Sequence, residues 1–150
     1  MPGGCSSPSP SPEPAAAAGA PAGTVGCNAG DGDAYSAGMK KTGAAAQLEF
    51  TLVSSTPAPP ALHDNEFIVQ VSDRDGTVLE GELSVTLDMP EHGHPSPTQP
   101  EIRFDAESRA FSLAPVNLFM VGLWRVTFSF QGTVDGAPRS DSAVFEFCID

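Results

Sequence analysis

The sequence predicts an all-β fold, a single seven-stranded immunoglobulin-like β-sandwich behind a disordered N-terminal tether. Three observations carry this. From Gln47 onward apolar and polar residues alternate at period two. Turn-forming clusters interrupt that alternation roughly every eight to twelve residues. No helical period appears between them.

Residues 6–26 are almost wholly Ser, Pro, Ala and Gly, a composition that cannot bury enough apolar surface to offset the entropy of ordering. They define a tether over 1–26, and a folded domain is expected over 27–150. Residues 27–46, with Gly30-Asp31-Gly32-Asp33 near their start, show no period and are expected to form an irregular lead-in. The first strand is predicted at 47–53, followed by the Thr56-Pro57-Ala58-Pro59-Pro60 turn. The second, at 66–72, turns Phe67, Val69 and Val71 to the core, and Asp75-Gly76 closes a tight turn behind it. The third, at 80–88, turns Leu83, Val85 and Leu87 inward.

Four prolines exclude residues 90–100 from a sheet interior. Short strands are predicted at 101–104 and 110–113. The sixth, at 124–130, is the clearest, because Trp124, Val126, Phe128 and Phe130 alternate with Arg125, Thr127 and Ser129. A turn at 134–138 leads to the last strand at 143–149.

The formal net charge of -12, with seven Lys plus Arg, disfavours binding to nucleic acid or to an anionic membrane surface. No apolar run reaches the length of a helical membrane span; the longest, 116–124, is broken by Asn117 and Gly122. The opening Gly3-Gly4-Cys5-Ser6-Ser7-Pro8 resembles the mature end of a bacterial lipoprotein. Cys5 is therefore expected to carry a lipid, which would be the chain's one contact with a membrane; an ordinary free cysteine is the alternative. Cys27 and Cys148 then remain as an even pair, expected to form a disulfide enclosing a loop of about 120 residues. Such a bond requires an oxidising compartment and agrees with export. Two independent buried thiols are the other reading.

The segment Met89-Pro90-Glu91-His92-Gly93-His94-Pro95 holds two of the three histidines in the chain. Two imidazoles separated by one Gly can turn to a common point, and a neighbouring thioether adds a soft ligand, so copper is the natural ion. In a seven-stranded sandwich the connections after the first, third and fifth strands share one pole. His63, Met89, His92, His94 and Met120 all fall there. The third and sixth strands are antiparallel neighbours, which places Met89 near Met120, and strand parity turns both inward. The same parity allows both to be adaptable core filler, His92 and His94 to be an exposed polar turn, and His63 to be a turn residue beside Asp64-Asn65. No Cys-x-x-Cys or His-Glu-x-x-His pattern supports zinc.

Met89-Pro90-Glu91-His92-Gly93-His94 and Met120-Val121-Gly122-Leu123-Trp124, in that order, resemble the paired motifs of the YtkA-like and FixH-like families of bacterial envelope proteins. The stretch from Pro59 to Asn65 also resembles the family's turn before the second strand, with His63 where a Gly is expected. The resemblance spans residues 35–148. It implies a sandwich similar to copper-resistance CopC-like domains and, in some members, copper handling or cytochrome-oxidase assembly, with a copper ion or a copper-dependent envelope protein as partner.

No Gly-x-Ser-x-Gly, triad or phosphate loop is present, so the chain is not expected to be an enzyme. The function expected is that of an exported, periplasmic or membrane-anchored copper-binding module. The alternatives are an adhesion or protein interaction module using the same loops without metal, and a purely structural domain.

Overall fold

A computed structural model describes residues 27, 28 and 30–150, so Cys5 and the tether expected over 1–26 lie outside the described residues. Among the described residues nine strands form in order: β1 (Met39–Thr42), β2 (Leu48–Thr56), β3 (His63–Asp73), β4 (Gly81–Met89), β5 (His94–Pro95), β6 (Glu101–Asp105), β7 (Ala110–Leu118), β8 (Gly122–Val134) and β9 (Ala137–Ile149). They make two antiparallel sheets with orders β1-β2-β3-β7-β6 and β5-β4-β8-β9. Without β1 and β5, the four-strand and three-strand arrangement is that of a constant-type immunoglobulin domain.

The period-two residues bury as the pattern demands. Phe67, Val69 and Val71 of β3, and Trp124, Val126, Phe128 and Phe130 of β8, are fully buried and meet Leu83, Val85 and Leu87 of β4 in one core. The β4–β8 register sets Leu83 opposite Phe130, Val85 opposite Phe128 and Leu87 opposite Val126, so large and small side chains face each other along the pair.

Four features depart from the sequence expectation. The lead-in is not irregular throughout, because Met39–Thr42 pairs with β2 as an edge strand. Its Lys40 and Lys41 hide any strand period, yet lysines are what protects a sheet edge, and here they pair with Glu49 and Asp33. A second added strand, the two-residue β5, pairs at the rim of β4, outside the sheet interior that its prolines forbid.

The strand expected to stop at 113 runs on to Leu118 through Pro115. Pro115 costs no ladder bond because β6 ends opposite Ala114 and the β3 pairing is bulged between Asn65 and Phe67. Finally, β9 begins at Ala137 rather than 143. The Asp135-Gly136 pair, both at positive φ (51 and 75), makes a two-residue turn of the type that suits a twisted hairpin.

One side chain joins the sheets at β9. Asp141, 5% exposed, accepts backbone N–H bonds from Ala45, Gln47 and Leu48, at 2.8, 2.9 and 3.0 Å. Gly43 is needed beneath it, since a Cβ there would collide with the carboxylate. Burial alone would raise the Asp141 pKa, but those donors and the Ser142 N–H outweigh it and hold the carboxyl below its usual range.

Candidate metal centre

The pole where the β2–β3, β4–β6 and β7–β8 connections meet is held by polar side chains that bond to backbone. Asn65, 3% exposed, accepts the Ala61 N–H and donates to the carbonyls of Ala61, His63 and Val116. Ser96 donates its hydroxyl to the Asn117 carbonyl at 3.1 Å, and its N–H bonds the Leu87 carbonyl, tying the proline-rich loop to β7 and β4. The Trp124 indole N–H bonds the Met120 carbonyl at 2.8 Å. Asn65 and Ser96 were not singled out by sequence. Ser96 stands out in no way from Thr98 in the same proline-rich loop, and Asn65 figures in the sequence only as the last residue of the turn before the second strand.

His92 and His94 flank Gly93, whose φ of 65 turns the chain back on itself. The N–H groups of His92 and Gly93 both reach the Met89 carbonyl at 3.0 Å. The two imidazole centroids stand 5.8 Å apart, and both residues are exposed. His94 pairs directly with Met89 across β5–β4, so both lie on the same sheet face. At that rim the His94 ring stacks on Phe119, which in turn meets Trp124 edge to face at 5.4 Å. Phe119 is thus a shelf for His94 that the sequence reading passed over.

Met89 is fully buried in the core. A Cβ on Gly122 would stand 2.7 Å from its terminal methyl, which could swing aside, whereas the φ of 131 at Gly122 is a backbone conformation that favours glycine. The thioether faces side chains rather than solvent. Met89→Ala should therefore cost about 2 to 5 kcal/mol of unfolding free energy, measured by urea denaturation; a loss below about 1 kcal/mol would mean that the pole collapses onto the vacancy. Met120 is half-buried and packs against the core. Its inward turn is incomplete because β8 begins at Gly122, and strand parity does not extend two residues beyond the strand.

His63 is exposed, pairs with Leu118 and has φ 75, the left-handed region that favours Gly. Gly, which the family resemblance implies at this position, would adopt that backbone without strain. Among the described residues, the group of three or more His, Cys, Asp or Glu whose ligand atoms lie within 4.8 Å of one another is Cys27, Cys148 and Asp150. His63 thus does not complete a three-histidine cluster with His92 and His94.

The bond between Cys27 and Cys148 is formed, with Cα atoms 5.5 Å apart. Fold and pole together define a disulfide-stapled, two-sheet β-sandwich with a histidine pair on its loop end. No protein-family model matches the chain, and no curated protein matches it. Among solved structures the chain is similar to FetP of the uropathogenic Escherichia coli strain F11, which was expressed recombinantly in the periplasm. The similarity covers 75% of this chain and 95% of that one, at 16% identity and a TM-score of 0.41.

Proposed function

We propose that the chain is an exported, non-catalytic sandwich domain that binds copper at its loop pole, and that it belongs with the YtkA-like and FixH-like envelope proteins its motifs resemble. The observation that carries this is the His92–His94 separation. Two imidazoles on one ion, at a metal–nitrogen distance of about 2 Å, put their ring centroids no more than about 6.3 Å apart; the 5.8 Å found here falls inside that limit. The donor set suits copper, imidazole being a good ligand in either oxidation state and thioether favouring Cu(I).

His92 and His94 would hold the ion, with the half-buried Met120, next to the Phe119 shelf, as the soft donor. Met89 serves chiefly as the plug beneath them, and His63 stands at the margin of the site. Export is supported by the Cys27–Cys148 bond, which persists only under oxidising conditions.

Trp124, the one tryptophan of the chain, reports on the site through Phe119. Titration of the protein with Cu(II), and with Cu(I) under anaerobic conditions, should give one equivalent bound with a change in Trp124 emission. The double variant His92→Ala/His94→Ala should bind at least tenfold more weakly, about 1.4 kcal/mol, with stability changed by no more than about 0.5 kcal/mol. Copper binding that survives this change would move the site elsewhere. An absence of binding by the native protein would favour an adhesion or interaction module using the same loops.

A further inference from the structure

The pole carries a second set of donors, independent of the histidines. We propose that, when its disulfide is reduced, the pair Cys27 and Cys148 together with Asp150 forms a soft-metal site for a cation such as Zn(II), so that metal loading and disulfide formation compete for the same two sulfurs. The ligand atoms of these three residues lie within 4.8 Å of one another. The Asp150 carboxylate stands 3.9 Å from the Cys148 sulfur.

Both cysteines are half-buried rather than sealed, and Asp150 is exposed. Cys148 and Asp150 line a cavity of about 490 Å³ whose walls include Asp33, Tyr35, Pro57 and Phe147, so a reductant and an ion both have a way in. The carboxylate of Asp33 is already engaged by Lys41 and the Glu146 N–H. Asp150 has no cationic partner among the described residues.

The chemistry balances with a dithiol as reductant. Its two thiols give two electrons and two protons to the Cys27–Cys148 bond, leaving two protein thiols and a cyclic disulfide of the reductant. The metal then binds the two thiolates and releases those two protons. Two sulfurs on a tetrahedral ion at 2.3 Å stand about 3.8 Å apart, a separation that rotation about the two Cα–Cβ bonds supplies from the present Cα spacing of 5.5 Å. Asp150 adds a third ligand, and the open side of the cavity leaves the fourth position to solvent. Because a newly made chain carries free thiols, such an ion would have its opportunity before oxidation closes the pair.

The test uses the whole chain, reduced and kept anaerobic, titrated with Zn(II) and with Cd(II), whose thiolate charge-transfer absorption reports sulfur ligation. One equivalent is expected, with about two protons released and the β-type circular dichroism retained. With Cys5, the third thiol of the chain, replaced by Ser in every sample, the untreated disulfide form and the variant Cys27→Ser/Cys148→Ser should give no charge-transfer band. Asp150→Asn should keep the band but bind at least tenfold more weakly. His92→Ala/His94→Ala should leave the band untouched, which separates failure here from failure of the copper reading.

If reduction unfolds the chain, one equivalent of Zn(II) should restore the fold. A folded reduced protein without the charge-transfer band, a band that persists in the double serine variant, or an unfolded reduced chain that Zn(II) does not refold would each overturn the proposal.

Discussion

Asp141→Ala should lower the unfolding free energy by about 3 to 5 kcal/mol. The carboxylate is the shared acceptor for the N–H groups of Ala45, Gln47 and Leu48, which approach it from the turn between β1 and β2. Hydrogen bonds to a charged acceptor are worth about 1.5 to 3 kcal/mol each, and removing the acceptor leaves the buried Leu48 N–H without a partner, while the exposed Ala45 and Gln47 can turn theirs to water. The three contributions do not add fully, because all end on one group. Urea denaturation at neutral pH measures the loss. A change below about 1 kcal/mol would mean that water replaces the carboxylate at little cost.

The same contacts set the sign of a pH dependence. The donors hold the folded-state pKa of Asp141 below that of the unfolded chain. Its contribution is therefore complete above the unfolded value of about 3.9 and is lost as pH falls through the lower folded value. Asp141→Asn should flatten that acid limb of the stability curve while leaving the limb above pH 5 parallel to that of the native protein.

Removing the Cys27–Cys148 bond should cost about 4 to 5 kcal/mol on the chain-entropy model, because the sequence separation of 121 closes a long loop. That is a large share of the 5 to 15 kcal/mol typical of a folded domain. Cys27→Ser/Cys148→Ser and the reduced native chain, both without metal, should fall together in denaturant midpoint. A loss of less than about 2 kcal/mol would show that Asp33, through its bonds with Lys41 and the Glu146 backbone, already anchors the lead-in to β9.

The core of both sheets was legible because burial on one face of a strand forces period two. Phe67, Val69 and Val71, and Trp124 through Phe130, could be assigned to the interior from spacing alone. The adjacency of the β4 and β8 strands, and with it the gathering of His63, Met89, His92, His94 and Met120 at one pole, followed from the chain order of a sandwich. The pairing of Cys27 with Cys148 could be reached only by setting Cys5 aside for its lipoprotein-like surroundings, which leaves an even pair.

What sequence could not decide was set by contacts between residues far apart in the chain. Met39–Thr42 becomes a strand because β2 offers an open edge, while its own lysines carry no period. Pro115 is tolerated because its neighbours on both sides have ended or bulged, which no local rule can anticipate. Parity put Met89 and Met120 in equal positions, yet tertiary packing separates them: Met89 is sealed in the core, while Met120, two residues before the start of β8, stays half-buried at the rim. The Phe119 shelf, the Asn65 bond to Val116, the Ser96 bond to Asn117 and the Asp141 clamp depend on partners between 21 and 96 residues away. Local periodicity therefore determined which face of each strand is buried, and three-dimensional closure decided which polar groups had to be satisfied and by whom.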